Sequence, residues 1–389
     1  MNVLFVLYHD FTSNSASHVQ NLANELAKLG ADCAVCVPSN VPSIDVLGGE
    51  KRFQALLYED VLKGKLRFAD GRGPDVTHAW TPREVVRRFL EAAKLPGKLV
   101  VHLEDNEQHL LARAMERKWK DLVREPMTTL DQVVPMHLAH PLRFPELMRR
   151  ADAATVIVDK LRELASPEKP VEEVWCSADE SLFAPVPVNY AMRRELGIAD
   201  DRKVIVYPGN VHASNASEVR SLYTAVALLN REGASVTLVR AGRDFAPYLE
   251  QDGVWVKPFV KDLGMVEHKR MPQVLAMADL FVQPGKPGEF NDYRFPSKMP
   301  EFLALGRPVV LPRSNIALEM KHGVDAYVVP EANATHITTA VLEILRDDAL
   351  AARLAAGSRR FFEDRLSWKQ GARKLEKLYA SLLDANAAA

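Results

Sequence analysis

Cysteine is scarce, with three residues in 389. That excludes a disulfide-stapled scaffold and suits a reducing, cytoplasmic compartment. Cys33 and Cys36 have CxxC spacing, but residues three apart on a strand face opposite sides, and no second pair completes a zinc site. Core packing is the expectation for both, and no metal is expected. An excess of one charge is missing too. Fifty Lys and Arg stand against 51 Asp and Glu, a formal net charge of -1, so no global field invites nucleic acid. No apolar run reaches the roughly 20 residues of a membrane span. The opening MNVLFVLYHDF has no basic start and turns polar by Tyr8, so it reads as a first strand and not a signal peptide. The loop after it, HDFTSNSASH, contains no GxGxxG, which counts against a dinucleotide on the first turn. There is no repeat of solenoid period and no low-complexity segment beyond the alanine tail.

What is present is a globular composition, 47% hydrophobic and 26% charged, over a length that suits two domains. Residues 1–180 hold 23 Lys and Arg against 27 Asp and Glu, and the rest hold 27 against 24. The second half is therefore slightly basic and the better host for an anionic ligand. Short apolar runs alternate with 3.6-period segments throughout. Strands are predicted at Asn2–Leu7, Cys33–Val37, Asp75–Ala79, Leu99–Leu103, Ala154–Val158 and Val171–Trp175. Val19, Leu22, Ala23, Leu26 and Leu29 mark one helix face, closed by Gly30, and Thr81-Pro82-Arg83-Glu84 reads as a capping box. The Pro-rich run FAPVPVN, 183–189, is read as an interdomain linker. A second series follows, with strands at Val204–Tyr207, Val236–Arg240, Val254–Val256 and Asp325–Val329 and helices at Val219–Leu229 and Met271–Met277. Trp368, Ala372, Leu375, Leu378, Tyr379 and Leu382 form a last apolar stripe. The expected fold class is α/β: two Rossmann-like domains, 1–182 and 190–365, with parallel sheets facing across a cleft. A final helix at about 366–385 is expected to pack back onto the first domain.

The most informative stretch is LFVQPGKPGEFNDYRFPSKMPEFLALGRPVVL, 280–311. It reads as strand, polar loop, short helix opened by Ser297 and ended by Gly306 and Pro308, then strand. Arg294 and Lys298 lie four apart around the helix start, and Glu301 follows one turn inside. Free N–H groups and two cations favour an anion there, and a carboxylate one turn deeper suits sugar hydroxyls. A solvated surface loop is the plainer alternative. In the first half, Leu99–Leu103 ends in Glu104-Asp105-Asn106-Glu107, carboxylates just past a strand's carboxyl end, where open α/β sheets place active sites. Helix capping is the alternative for Asp105 and Asn106. Arg113–Arg124 with Trp119 reads as a basic helix, either a solvated face or a docking surface for an anionic membrane.

The order SHVQNLANELAKLGADCAVCVP, ADAATVIVDKLRELA, VEEVWCSADESLFAP, KRMPQVLAMADLFVQPG, KMPEFLALGRPVVLP and SWKQGARKLEKLYASLL resembles the GT-B glycosyltransferases, specifically the large retaining family four, over nearly the whole chain. The resemblance implies sugar transfer from a nucleotide-diphosphate donor, UDP- or GDP-linked, to a glycan or glycolipid acceptor. It also implies retention of configuration and no cofactor, by a cytoplasmic enzyme at the inner face of the membrane in cell-envelope polysaccharide or glycoconjugate synthesis. The metal-gripping DxD triplet of the other large glycosyltransferase fold is absent. Residue by residue, Glu301 matches the glutamate that holds the ribose hydroxyls, Gly264 and Met265 the backbone at the base, and Gly209 the strand-end glycine facing the diphosphate. Asn210, Asn291, Asp292, Arg294, Ser297 and Lys298 complete the donor side, with Lys298, Arg294 and Glu104 as catalytic candidates. Glu104 stands where the family often has a histidine, two residues on from His102. Asp105, His102, His18, Asn14 and Trp80 are acceptor-side candidates, with core packing as the alternative for His102 and Trp80. The chain departs from the pattern at Asn210 and Asn215, where the family carries Arg and Lys, and at Tyr293, where it carries its first glutamate. A catalytically degenerate binding subunit and a nucleotide-sugar 2-epimerase are the competing readings. A two-lobed periplasmic sugar binder shares the coarse architecture, but the absence of a signal-like start argues against it.

Overall fold

The computed structural model describes residues 1–249 and 253–387. The chain divides into two compact units, the first comprising Met1–Cys176, Tyr293–Phe295 and the stretch from Trp368 on. The second comprises Ser177–Asp292 and Pro296–Ser367.

The first unit is built on one parallel seven-stranded sheet. Its strands are β1 (Asn2–Leu7), β2 (Asp32–Val37), β3 (Gln54–Leu57), β4 (Val76–Trp80), β5 (Lys98–Leu103), β6 (Ala153–Val156) and β7 (Val171–Glu173), in the order β3-β2-β1-β4-β5-β6-β7. β1 is buried on both faces, which is why it reads as unbroken hydrophobic sequence and not as alternation. Ser13 caps the helix Asn14–Lys28 by accepting from the Ala16 N–H, and Val19, Leu22 and Leu26 press its apolar face onto Val3, Phe5 and Leu7. The same core is closed by Ala372, Leu375, Tyr379 and Leu382 of the last helix, Trp368–Ala387. Cys33 and Cys36 are buried free thiols on β2.

In the second unit β8 (Lys203–Pro208), β9 (Val236–Ala241) and β10 (Val260–Asp262) form one parallel sheet, and β11 (Phe281–Val282), β12 (Val309–Pro312) and β13 (Tyr327–Val329) form another. A parallel bridge from Ile205 to Leu280 joins them through β8 and β11. The helices Ala216–Arg231 and Ala334–Arg346 cover this sheet through Val219, Leu222, Val226, Ile337 and Val341. Among the described residues, no helix is long and apolar enough to cross a membrane.

Four local expectations are corrected. Val254–Val256 lies in a short helix, Gly253–Val256, and the strand of that region is β10. β3 is an additional strand, only four residues long. Arg113–Arg124 is no continuous helix: Glu116 takes φ 51° between Glu107–Ala114 and Trp119–Leu122. Leu111 and Leu122 turn inward with Leu130 and Leu138, and Trp119 packs against them, so the segment's apolar residues fill a small core. Thr81 forms no capping box; it sits at φ 78° after β4, its hydroxyl buried without a partner, and the helix starts at Glu84.

Candidate active site

Each unit gathers polar groups at the carboxyl ends of its strands. In the second unit β8 runs into Gly209 at φ +153°, and a Cβ there would stand 3.3 Å from Lys298 Nζ. The glycine leaves the room that the ammonium fills, with Nζ 4.9 Å from the centre of the Tyr207 ring. Gly242, just past β9, has φ +136°, and a Cβ on it would meet the Gly209 carbonyl oxygen at 2.3 Å, so the two strand ends touch backbone to backbone. Beneath them Arg240 is buried and spent on the protein itself, pairing with Asp244 at 2.5 Å and Asp262 at 3.2 Å.

The helix beyond Lys298 is Met299–Ala304, six residues long, with Lys298 itself at the N-cap. This corrects the expected start: Ser297 is exposed and does not cap the helix. A helix this short has a small dipole, and Pro300 removes one of its free N–H groups, so the positive charge here comes mainly from the Lys298 side chain. Glu301 lies one turn in. Its carboxylate is partly buried and has no hydrogen-bond partner among the described residues. Burial lifts its pKa to about 7, against the pull of the Lys298 charge.

The remaining donor-side candidates brace the surrounding loops. Asn210 Oδ1 accepts the Arg243 N–H at 2.8 Å, and Asn215 bonds the Asn210 carbonyl at 3.1 Å and the His212 N–H at 2.8 Å. Asn291, expected at the donor, is buried and donates to Glu218 at 2.6 Å and to the Lys286 carbonyl at 2.9 Å. Asp292 accepts from Ser314 at 2.6 Å and from the Gly288 N–H at 2.9 Å. Both are committed to holding the loop. Gly264, at φ +61°, gives its carbonyl to the Gly242 N–H at 2.7 Å, and Met265 beside it is 58% exposed.

In the first unit Glu104 follows β5. Its carboxylate accepts from Ser15 Oγ at 2.5 Å and Trp80 Nε1 at 2.6 Å, and faces His18 Nδ1 at 3.4 Å. Burial works against its charge, but His18 and Ser15 outweigh that and hold it down at about 2. Cys176 and Glu104 in turn raise His18 despite its burial. Trp80 is 1% exposed, with its ring 3.9 Å from that of His102, so it belongs to the core and offers no sugar platform. His102 is fully buried, bonded to Thr155 through Nδ1 at 2.8 Å, and burial lowers its pKa to about 3; it is a neutral core histidine. Asn14 opens the first helix, exposed. Asp105 pairs with Arg83 at 3.2 Å, while Asn106 caps the following helix by accepting from the His109 N–H. Burial raises the Asp105 pKa, with Glu104 adding to it and Arg83 and Arg294 opposing; Arg294 belongs to this unit, whereas Lys298 belongs to the other. Arg83, which ties Asp105 to Glu107 and lies 4.0 Å from the Tyr8 ring centre, and Gly242 are site residues that sequence patterns did not single out.

Residues 202–347 match the family described as "Glycosyl transferases group 1". A stretch of 225 residues is 30% identical to the GDP-mannose-dependent alpha-(1-6)-phosphatidylinositol monomannoside mannosyltransferase of Mycolicibacterium smegmatis, covering 54% of this chain and 57% of that protein. The chain thus spans little more than half the length of this curated relative. Its fold is similar to that of Anabaena HepE in complex with UDP and glucose, at 16% identity and TM-score 0.68 over 98% of this chain and 100% of the other. It is also similar to sucrose-phosphate synthase of Thermosynechococcus elongatus, at 15% identity and TM-score 0.70 over 99% of this chain and 100% of that one.

Proposed function

From a chain that carries a group 1 glycosyl transferase domain over residues 202–347 on the two-unit α/β architecture of GT-B enzymes, we propose that it moves a sugar from a nucleotide-diphosphate donor to an acceptor hydroxyl. Lys298 and Glu301 carry the proposal. They stand on one turn beside Gly209, and neither side chain has a hydrogen-bond or ion-pair partner among the described residues. A cation and a carboxylate that the fold leaves unused are the complements of a diphosphate and a pair of ribose hydroxyls. Lys298 neutralises charge growing on the leaving diphosphate as the sugar becomes oxocarbenium-like, where fixed charge lowers a barrier most. Glu301, ionised, accepts from the ribose. With the charge supplied by side chains, transfer proceeds in EDTA; retention of configuration is what the family-four resemblance implies.

The mycobacterial relative is named for GDP-mannose and a phosphatidylinositol mannoside, and the Anabaena protein holds UDP. They support a UDP- or GDP-linked donor here and a glycolipid or envelope glycan as acceptor. Thermal melts with UDP-, GDP-, ADP- and dTDP-sugars test the donor, because a ligand at 100 times its Kd stabilises by about 2.7 kcal/mol. One of the four should raise Tm, and Lys298→Ala should abolish the rise. No rise with any of them sinks the reading. Asn210 and Asn215, spent on their loop, favour a subunit that binds without turnover as the second reading; donor hydrolysis or transfer by the purified chain excludes it.

A further inference from the structure

A diphosphate carries at least two negative charges, and Lys298 offers one positive charge, partly offset by Glu301 when that carboxyl ionises. A second cation is needed at these strand ends, and their register places one beside Asn210, on the face opposite the Tyr207–Gly209–Val211 row that Lys298 meets. Past β8 and β9 the chain makes one more parallel bridge, Val211 to Asp244, with the Val211 N–H donating to the Arg243 carbonyl at 2.8 Å and the Phe245 N–H to the Val211 carbonyl at 2.7 Å. Residues flanking a bridge pair point to the opposite face from the pair itself. Val211 is buried and Asp244 reaches Arg240, so that face is the inner one. On the other face His212 stands opposite Phe245, and their rings stack at 4.9 Å with 3° between planes. Asn210 and Arg243 are the cross-bridge pair beside them on that same outer face.

Arg243 therefore flanks the Gly209–Asn210 peptide, on which Gly242 packs directly, while Lys298 flanks Gly209 through its own contact. Arg243 is exposed, and its guanidinium has no ion pair or hydrogen bond among the described residues; only its backbone is engaged, through Asn210, Arg240 and Val211. Arg240, by contrast, is consumed by two carboxylates. The geometry points to Arg243 as the second phosphate-binding cation of the donor site, its planar fork gripping diphosphate oxygens that Lys298 meets as a point charge. Asn210 is then a positioning residue, its carboxamide fixing the backbone from which the guanidinium extends.

This assignment rests on the nucleotide-diphosphate reading above, so the test separates the two. Affinities for UDP and GDP, and for uridine and guanosine, are measured by calorimetry or ligand-observed NMR on the full chain and on Arg243→Ala, Arg243→Lys and Lys298→Ala. Arg243→Ala should weaken the nucleoside diphosphate about 10- to 100-fold, leave the nucleoside unchanged and leave Tm unchanged, because only a solvated side chain is removed. Arg243→Lys should recover part of the loss. Diphosphate affinity that is indifferent to Arg243→Ala but lost in Lys298→Ala overturns the assignment and leaves the donor site standing, and an equal loss for nucleoside and diphosphate also overturns it. A full chain that binds no nucleoside diphosphate overturns both.

Discussion

Glu301 is the residue at which the proposed donor role and folding stability pull in opposite directions. An acid whose folded pKa is about 7 keeps a proton that the unfolded chain releases near about 4.3. The folded state is therefore favoured below that lower value, and the advantage is lost as pH rises through the window to about 7. With the side chain partly solvated, Glu301→Gln should stabilise the ligand-free protein by about 1–3 kcal/mol at pH 8 and leave it unchanged near pH 4.5. Donor affinity should run the other way, rising with pH through about 7 as the carboxylate becomes able to accept from two hydroxyls, and Glu301→Gln should flatten that rise. Melting curves and donor titrations at both pH values check this; a variant less stable at pH 8 would show Glu301 to be a structural residue. Glu301, Lys298 and Gly209 could be proposed from sequence because each lies within a few residues of a strand or helix end that local pattern marks. Arg243 could not be proposed that way, since its place depends on which residue faces which across a bridge between segments about 30 residues apart. Trp80 was misplaced for a related reason. Sequence put it at a strand end, but not in contact with the Glu104 and His102 that enclose it.

At the level of elements, the geometry around Gly209 depends on β8 and β9 ending in direct backbone contact. Gly242 and Gly233 make a controlled comparison, since both hold positive φ, at +136° and +86°. A side chain at either pays the left-handed penalty, roughly 1–2 kcal/mol. Only at Gly242 would the new Cβ strike backbone, 2.3 Å from the Gly209 carbonyl oxygen, while Gly233 has open space within 4 Å. Gly233→Ala should therefore lower stability by about 1 kcal/mol and leave nucleotide affinity intact. Gly242→Ala should lose more stability than that and lose the nucleotide, because Gly209 and Asn210 must shift. Equal effects of the two substitutions on binding would mean that the strand-end contact does not shape the site. The long buried strands were readable as unbroken Val, Leu and Ile runs, and the helix Asn14–Lys28 by its stripe and its closing glycine. β3 was missed because four residues, QALL, are too few to carry a period. The Arg113–Arg124 stretch misled because its charge pattern conceals the break at Glu116, which has a φ of 51° between two short helices whose Leu111 and Leu122 share one small core.

Taken as a whole, the molecule has a discontinuous first unit: the chain leaves it after Cys176 and re-enters for good at Trp368. The apolar stripe of the last helix was legible in sequence, where it was expected to pack back onto the first domain, although a 3.6-residue period by itself does not name the side chains it meets. The structure makes that helix part of the first sheet's packing. Leu375 and Tyr379 are 0% exposed among Val19, Leu22 and Leu26, and the Tyr379 hydroxyl bonds the buried His78 Nδ1 at 2.7 Å. Each such side chain contributes about 1.5–3 kcal/mol on burial, and a few of them equal the roughly 5–15 kcal/mol that holds a domain together. A chain ending at Ser367 should therefore lose the first unit's cooperative melting while the second unit, Ser177–Asp292 and Pro296–Ser367, still melts cooperatively and still binds nucleotide. Trp80, Trp119 and Trp175 lie in the first unit and Trp255 in the second, so fluorescence of Trp255→Phe in the truncated background reports on the first unit alone. Adding the segment 368–387 as a separate peptide should restore the transition, and Tyr379→Phe in the peptide should weaken the rescue by leaving His78 Nδ1 without a partner while Nε2 keeps Thr155, at about 1–3 kcal/mol. A truncated chain whose first unit still melts sharply would place the stability of that sheet in its own helices instead.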